Sequence, residues 1–145
     1  MIEGVFVEKL NKIVDRRGQV MLMLRRDSPH FIAFGEVYFS AINSGIVKAW
    51  KKHLKMTQLF AVPVGKIKLV IYDDREKSST KGEVWEMESG EENYCLIKIP
   101  PMLWYGVKGL SAYPSLIANC SDIPHDTDEI KIRDLSDTLI PYVWK

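Results

Sequence analysis

The chain has 145 residues, of which 46% are hydrophobic and 27% charged, and these values are typical of one globular domain with a sizeable core. Its 20 basic and 19 acidic residues leave a formal net charge of +1, which argues against a nucleic-acid or membrane surface built on bulk positive charge. No apolar run approaches the ~20 residues of a membrane span, and the N-terminal segment lacks the apolar core of a signal peptide. We therefore expect a single domain over residues 1–145.

Short stretches that alternate between apolar and polar residues predict β-strands along most of the chain. In chain order they are EGVFVEKL, QVMLMLR, AFGEVYFSAI, TQLFAVPV, GKIKLVIYD, GEVWEM and NYCLIKIP. In GKIKLVIYD, for example, Ile67, Leu69 and Ile71 share one face, as a half-buried strand requires. Turn-forming clusters such as DRRG, NSG and ESGEEN separate the stretches. Many short strands at a spacing of roughly ten residues predict an antiparallel sandwich or barrel.

The C-terminal part differs from this pattern. The segment from Asp126 to Leu139 predicts a short helix, with Asp126 or Thr127 as the N-cap. The apolar end LIPYVWK is expected to pack on the domain or across a dimer interface. The two cysteines, Cys95 and Cys120, do not form a CxxC pair. They predict buried thiols in a reducing compartment, hence the cytoplasm, with one structural disulfide as the alternative.

The stretch from Gly45 to Gly65, GIVKAWKKHLKMTQLFAVPVG, has the spacing of a metal site but not its residues. It resembles the first cupin motif, with Lys51, His53 and Gln58 at three ligand positions, and Tyr105 in PPMLWY stands at the fourth. Of the residues expected at the four positions only His53 remains. An ammonium group has no lone pair to donate, and one imidazole does not hold a divalent metal with useful affinity. We therefore expect no metal, and a metal-dependent cupin is the least favoured hypothesis.

The chain resembles the dTDP-4-dehydrorhamnose 3,5-epimerase family, the sugar-nucleotide cupins. Four segments carry the resemblance in order: IVDRRG, GIVKAW, VGKIKLVIYDDR and IPPMLWYGV, followed by IKIRDLSD near the end. The resemblance implies an all-β cupin-type double-stranded β-helix, or jelly roll, to which the short C-terminal helical segment would be added. It also implies a homodimer that acts on a nucleotide-linked 4-keto-6-deoxy sugar in deoxysugar and surface polysaccharide biosynthesis.

In that family a histidine base held by an aspartate removes the proton beside the ketone, and a tyrosine returns one from the opposite face. No cofactor is needed, because the ketone already acidifies its neighbours. By the resemblance the base position falls on Lys51, the aspartate on Asp134 and a second histidine on Tyr105. The acid tyrosine falls near Ala118, which cannot transfer a proton. His53 shares a strand face with Lys51, so Lys51, His53 and Tyr105 together, with Asp134, are the candidate catalytic group.

The same resemblance supplies candidate substrate-binding residues. The basic residue that grips the pyrophosphate falls on Lys48, and the early arginine falls on Arg17. Gln58 stands where the family has a lysine, and Trp50 is a candidate for the wall of the barrel mouth. Each has a structural alternative: Arg17 as a cap of the DRRG turn, Trp50 as a core aromatic, and the basic run KAWKKHLK as a solvated turn.

Two functions of different classes follow from these residues. The first is an enzyme, a metal-free epimerase or isomerase of a nucleotide-linked keto sugar. The second is a non-catalytic cupin that binds the nucleotide sugar but has lost the base and the acid, at Lys51 and near Ala118. Neither function predicts a nucleic-acid or membrane partner.

Overall fold

The computed structural model describes all residues from 1 to 145 and is built almost entirely from β-strands. Its twelve strands are β1 (Phe6–Lys9), β2 (Lys12–Asp15), β3 (Gly18–Met21), β4 (Glu36–Ile42), β5 (Val47–His53), β6 (Gln58–Val64), β7 (Lys66–Tyr72), β8 (Val84–Gly90), β9 (Cys95–Ile99), β10 (Trp104–Gly109), β11 (Ser115–Ser121) and β12 (Ile130–Ile132). This confirms the all-β prediction.

Two five-stranded antiparallel sheets face each other. The first has the order β1-β9-β6-β11-β4 and the second the order β12-β5-β10-β7-β8, while β2 and β3 form a separate hairpin. Strands that are consecutive in the chain lie in different sheets at several points, for example β4 and β5, so the chain winds between the two layers. This is the predicted cupin jelly roll.

The core lies between the two sheets and follows the alternation of the sequence. Ile67, Leu69 and Ile71 of β7 are all fully buried in it, as the pattern of GKIKLVIYD predicts. Opposite them the first sheet contributes apolar residues such as Phe60 and Ile97. Burial of these side chains is the main force that holds the two layers together.

The helix predicted from Asp126 to Leu139 is wrong beyond its first turn. A single 3-10 turn covers Thr127–Glu129, with Asp126 as the predicted N-cap accepting a hydrogen bond from the backbone of Asp128. The chain then becomes extended as β12, because its backbone pairs with the edge of β5. The edge of a sheet offers unpaired N–H and C=O groups, and satisfying them overrides a weak helical tendency.

The apolar C-terminal end packs back on its own chain. Ile140 is buried beside Trp50 and Trp104 on the outer side of the second sheet, and Tyr142 and Trp144 pack against the same cluster. LIPYVWK was predicted to pack either on the domain or across a dimer interface, and it packs on the domain.

Cys95 and Cys120 are both buried and unpaired, so the disulfide alternative is not realised. No helix in the structure has the length and apolar character that crossing a membrane requires.

Two glycines, Gly65 and Gly45, have positive φ and lie in turns. The backbone is crowded by other atoms at the first and open at the second. Gly65, between β6 and β7, has φ +79°, and a Cβ there would lie 2.4 Å from Ser115 Oγ and 2.9 Å from Ser115 Cα. Gly45, which precedes β5, has φ +74° and no atom within 4 Å of such a Cβ. The two positions therefore share the conformational requirement but not the steric one.

We expect Gly65→Ala to destabilise the fold more than Gly45→Ala. Gly45→Ala should cost about 1–2 kcal/mol, since it only forces a left-handed backbone on alanine. Gly65→Ala should cost a further 1–3 kcal/mol or so, because β11 must shift to make room. Urea denaturation of both variants measures the difference, and equal losses of stability would contradict the close approach of Gly65 to Ser115.

Candidate active site

A cavity of about 300 Å³ lies between the two sheets. The first sheet contributes β4, β6 and β11 to its wall, and the second contributes β5, β10 and β12. Apolar side chains such as Phe60, Val107 and Ile117 form much of the lining. The polar residues among them are Tyr38, Ser40, Lys48, Lys51, Tyr105 and Asn119. An apolar pocket with a few convergent polar groups is the usual form of a small-molecule site.

Lys51 lies in the wall because β5 is paired on both edges. Lys51 is directly opposite Tyr105 on β10 and Ile132 on β12. All three residues line the cavity. Directly opposed residues of antiparallel strands have Cβ atoms about 4.5–5.5 Å apart. The amine of Lys51 and the ring of Tyr105 are therefore neighbours on one wall.

His53 forms a buried pair with Glu129. His53 Nδ1 is hydrogen-bonded to Glu129 Oε1, and each residue is only 3% exposed. Glu129 Oε2 accepts hydrogen bonds from the backbone N–H groups of Lys55 and Met56 at 3.1 and 3.2 Å. His53 Nε2 is buried and has no protein partner. The carboxylate thus fixes the ring and its tautomer, and the second ring nitrogen is left free to accept a proton.

The charge states of this pair follow from burial and from their mutual bond. Burial lowers the pKa of His53, the hydrogen bond with Glu129 opposes this in part, and the positive charge of Lys51 lowers it further. For Glu129, burial acts to raise the pKa, but the hydrogen bonds from His53 and from two backbone N–H groups lower it by more. At neutral pH the pair is therefore a neutral imidazole beside a carboxylate.

Tyr105 connects this pair to the cavity. Its ring lies parallel to the His53 ring, with centroids 6.2 Å apart and an interplanar angle of 13°. Burial raises the pKa of the Tyr105 phenol, repulsion from Tyr38 when both phenols are ionised adds to the rise, and the nearby Gln58 amide opposes it in part. The phenol therefore keeps its proton and can donate a hydrogen bond to a bound ligand.

A polar network on the first sheet faces this wall. Asn119 Nδ2 donates to the Tyr38 hydroxyl at 2.7 Å and to Gln58 Oε1 at 3.3 Å. Asn119 Oδ1 accepts the backbone N–H of Leu59 at 3.2 Å. Tyr38 and Asn119 are directly opposed on β4 and β11. The network places a phenol across the cavity from Lys51 and Tyr105.

The four predicted substrate-binding residues are not all in the cavity. Lys48 lines it and is exposed near Ser40, with its Nζ donating to the Ala41 carbonyl at 2.6 Å. Trp50 touches the cavity wall, but it is buried and packs on the outer side of β5 against Tyr142 and Trp144.

The other two lie outside the lining. Gln58 is 1% exposed and lies behind the wall, bonded to Asn119. Arg17 is at the tip of the β2–β3 hairpin, where its guanidinium pairs with Asp15 at 2.7 Å. That is the turn-capping alternative, and Arg17 does not line the cavity of its own chain.

Asp134 has to be corrected as the carboxylate that orients the base. It is exposed, and its Oδ1 accepts from the backbone and hydroxyl of Ser136. It lies in an outer groove with Lys52 and Arg133, because β12 ends at Ile132, the partner of Lys51, and Asp134 follows two residues later. Glu129, which precedes β12, is the carboxylate that contacts a base, and its partner is His53.

Four residues of the site were missed by the sequence analysis. Tyr38 and Ser40 alternate with exposed residues in AFGEVYFSAI, so the period of two could have placed Tyr38 on the inner face. On β11, Asn119 and not Ala118 lines the cavity, because residues 117 and 119 face inward. No local signal distinguishes Glu129 from the other acidic residues of HDTDE.

No group of three or more His, Cys, Asp or Glu side chains converges anywhere in the structure. The positions that correspond to a cupin metal site instead hold an amine, an imidazole, an amide and a phenol.

No family model matches the chain. Two curated proteins are similar to it over nearly its whole length. A probable low-salt glycan biosynthesis epimerase of Haloferax volcanii is 36% identical over 143 residues, which cover 97% of this chain and 88% of the relative. The spore coat polysaccharide biosynthesis protein SpsL of Bacillus subtilis is 35% identical over 146 residues, covering 99% of this chain and 97% of the relative.

Among solved structures, a dTDP sugar isomerase from Desulfovibrio desulfuricans G20 has 47% sequence identity and a TM-score of 0.96, covering 99% of this chain and 92% of that one. Two dTDP-4-dehydrorhamnose 3,5-epimerases, from Elizabethkingia anophelis and Sulfolobus tokodaii, have the same fold with TM-scores of 0.79 and 0.81 at 17% and 20% identity.

The buried His53–Glu129 pair predicts a loss of stability in mild acid. The pKa of His53 is lower in the folded state than its ordinary value of 6.5, so the unfolded chain binds the proton more readily. Stability is therefore fully present above that value and falls as the pH drops through it towards the folded pKa. Free energies of unfolding by urea at about pH 7.5 and about pH 5.5 should show this loss.

His53→Gln should reduce the difference between the two pH values, because no imidazole remains to be protonated there. His125→Gln, at an exposed histidine whose charge is the smallest of the influences on the His53 pKa, is the control and should change the difference much less. An equal pH dependence in wild type and His53→Gln would show that His53 does not titrate as this geometry requires.

Proposed function

The chain belongs to the dTDP-4-dehydrorhamnose 3,5-epimerase family, the sugar-nucleotide cupins, and on that premise we propose that it epimerises or isomerises a nucleotide-linked 4-keto-6-deoxy sugar. A role in glycan or polysaccharide biosynthesis is supported by the two curated relatives, of which one is a probable glycan biosynthesis epimerase and the other a spore coat polysaccharide biosynthesis protein. The single observation that carries the proposal is the convergence of Lys51 and Tyr105 on one wall of the cavity between the sheets, with the His53–Glu129 pair behind them.

The reaction we propose begins with removal of the proton on the carbon beside the ketone. Lys51 is the basic group that reaches the cavity, and His53, two residues along the same strand face, has a buried Nε2 without a protein partner. The electron pair of the C–H bond moves to the ketone oxygen and forms an enolate.

Tyr105 is placed to stabilise that enolate. Its phenol keeps its proton at neutral pH, for the reason given above, and it lies beside Lys51. A hydrogen bond donated to the oxygen becomes stronger as negative charge develops there, so it lowers the barrier more than it tightens ground-state binding. The chemistry needs no cofactor, because the ketone itself acts as the electron sink.

The nucleotide diphosphate would lie at the cavity entrance. Lys48 is the exposed basic residue of the lining, and its Nζ is held by the Ala41 carbonyl and by Ser40 at 2.6 and 3.4 Å. Neither partner is an anion, so the ammonium charge is not neutralised and is available to a phosphate. The two buried free thiols favour a reducing compartment, and we place the protein in the cytoplasm on that ground.

A second candidate function is the non-catalytic binding cupin. The observation that favours it is β11, where Asn119 faces the cavity and Ala118 does not, so this strand supplies no acid. Such a protein would bind the nucleotide sugar through Lys48 without exchanging any hydrogen on the sugar ring.

Incubation with dTDP-4-keto-6-deoxyglucose in heavy water separates the two functions. We expect deuterium to enter the positions beside the ketone, because each enolate takes a solvent-derived proton. Mass spectrometry and proton NMR measure the incorporation. Nucleotide-sugar binding without any incorporation, for this and the other common keto sugars, would exclude the enzyme and favour the binding module.

Lys51→Gln should reduce the rate of incorporation by roughly 100-fold to 10,000-fold, the usual contribution of a general base. Lys52→Gln is the matched control, since Lys52 is the next residue of β5 but faces the outer groove and pairs with Asp74 at 2.6 Å. Lys52→Gln should retain the wild-type rate. Equal rates for Lys51→Gln and wild type would remove Lys51 from the mechanism.

We further propose that the chain forms a homodimer through the outer side of the first sheet. There Val37 and Phe39 of the edge strand β4 are 50% and 65% exposed, next to Phe34 at 68%. The β2–β3 hairpin also exposes Ile13 and Val20, which are directly opposed on one of its faces. Contiguous exposed apolar groups of this kind mark a protein interface. A second copy would also be needed for Arg17, at the hairpin tip, to reach a cavity.

Phe39→Glu should convert the dimer to a monomer, because it places a charge in the proposed interface. Val143→Glu, at another highly exposed apolar residue on the C-terminal end, should leave the dimer intact. Sedimentation velocity measures both. A monomeric wild type, or a Phe39→Glu variant as dimeric as wild type, would contradict the proposed interface.

A further inference from the structure

We propose that Tyr38 is the catalytic acid that returns a proton to the sugar from the face opposite Lys51. The inference rests on the function proposed above and names a residue to which the family resemblance assigns no role. It follows from the placement of Tyr38 in the cavity and from the direction of its hydrogen bonds.

Inversion of a carbon centre needs two groups on opposite sides of the ring. Lys51 and Tyr105 both belong to the second sheet, so they approach a bound sugar from the same side. Of the residues that line the cavity from the first sheet, only Tyr38 and Ser40 have a hydroxyl, and Ser40 is close to the Lys48 ammonium. Tyr38 is therefore the one phenol that faces Lys51 from across the cavity.

The hydrogen-bond network determines where the Tyr38 proton can point. Asn119 Oδ1 accepts the backbone N–H of Leu59, so the amide cannot be flipped without losing that bond. Its Nδ2 group must then face Tyr38, to which it donates at 2.7 Å. The Tyr38 oxygen is thus an acceptor in this contact, and its own proton has no protein acceptor. That proton is available to a ligand in the cavity.

The protonation state agrees with this geometry. Burial raises the pKa of Tyr38, and the hydrogen bond from Asn119 opposes the rise in part. The phenol is therefore protonated at neutral pH, while the Asn119 amide stabilises the phenolate that would follow proton transfer. Asn119 is a positioning residue, since it acts on Tyr38 and not on the sugar.

The proton transfers balance without a second reactant. Lys51 takes the C–H proton, and the bond electrons move to the ketone oxygen. When the ketone re-forms, the enolate electrons make a new C–H bond on the opposite face with the Tyr38 proton. Water then protonates the Tyr38 phenolate, and the base returns its proton to water, so the sugar is inverted and nothing is consumed.

The test separates exchange from inversion in one experiment. Wild type, Tyr38→Phe and Tyr113→Phe are each incubated with dTDP-4-keto-6-deoxyglucose in heavy water. Deuterium incorporation beside the ketone is measured together with the fraction of epimerised product. Tyr113 is an exposed tyrosine whose hydroxyl bonds Glu91, so Tyr113→Phe controls for loss of a phenol elsewhere.

We expect Tyr38→Phe to retain incorporation within a few-fold of wild type, because the base still forms the enolate and can return a solvent proton from its own face. Epimerised product should fall by roughly 100-fold or more. Tyr113→Phe should match wild type in both. Thermal unfolding confirms that the variants are folded.

Epimerisation at the wild-type rate in Tyr38→Phe would overturn the inference and leave the proposed function intact. Loss of incorporation together with epimerisation, in a folded variant, would overturn it too, because Tyr38 would then be needed to form the enolate. No incorporation by the wild type would refute the proposed function itself, and the role of Tyr38 with it.

Incorporation of 3-fluorotyrosine at position 38 keeps the test decisive if Tyr38→Phe does not fold. Fluorination makes the phenol more acidic. The fall of the epimerisation rate at alkaline pH, the alkaline limb of its pH profile, should therefore move to lower pH. The alkaline limb of the deuterium incorporation rate should stay in place. An unchanged alkaline limb for epimerisation would contradict the assignment.

Discussion

Strand β5 is hydrogen-bonded along both edges, to β10 on one side and to β12 on the other, and this double pairing fixes the site. Pairing with β10 places Lys51 beside Tyr105. Pairing with β12 extends the turn that carries Glu129 alongside His53. A shift of one residue in either register would turn these side chains to the outer face of the sheet, where Lys52 now lies. Catalytic geometry and sheet register are therefore one and the same constraint.

The second constraint is the satisfaction of buried polar groups. Glu129 is almost fully buried, and its carboxylate is stable there only because a histidine and two backbone N–H groups surround it. The Asn119 amide is similarly hydrogen-bonded to the backbone N–H of Leu59, to Gln58 Oε1 and to the Tyr38 hydroxyl. One network lies behind the wall formed by the second sheet and the other lies in the first sheet, so both would preorganise the groups of the proposed mechanism.

In the proposed mechanism, an architecture that holds a metal in other cupins serves proton transfer. The strands that present metal ligands in other cupins here present Lys51, His53 and Tyr105, all of which can carry a transferable proton. Their usefulness depends on the apolar lining around them, because a low-dielectric cavity strengthens the interaction between an ammonium or phenol and a developing enolate. The phenol of Tyr38 on the other sheet completes a two-sided arrangement that no single strand could provide.

Local patterns in the sequence were sufficient to predict the all-β fold, the family and the cavity position of Lys48 and Lys51, because alternation and motif spacing are local properties. They did not predict that Trp50 packs mainly on the outer side of β5. The sequence could not determine which carboxylate meets the base: Asp134 was predicted by position, whereas Glu129 makes the contact, because β12 pairs with β5 only after the chain has folded. Tyr38 and Asn119 also depended on the tertiary structure, since one lies on β4 and the other on β11. Contacts between residues distant in sequence are set by the packing of whole sheets, and local patterns carry no information about that packing.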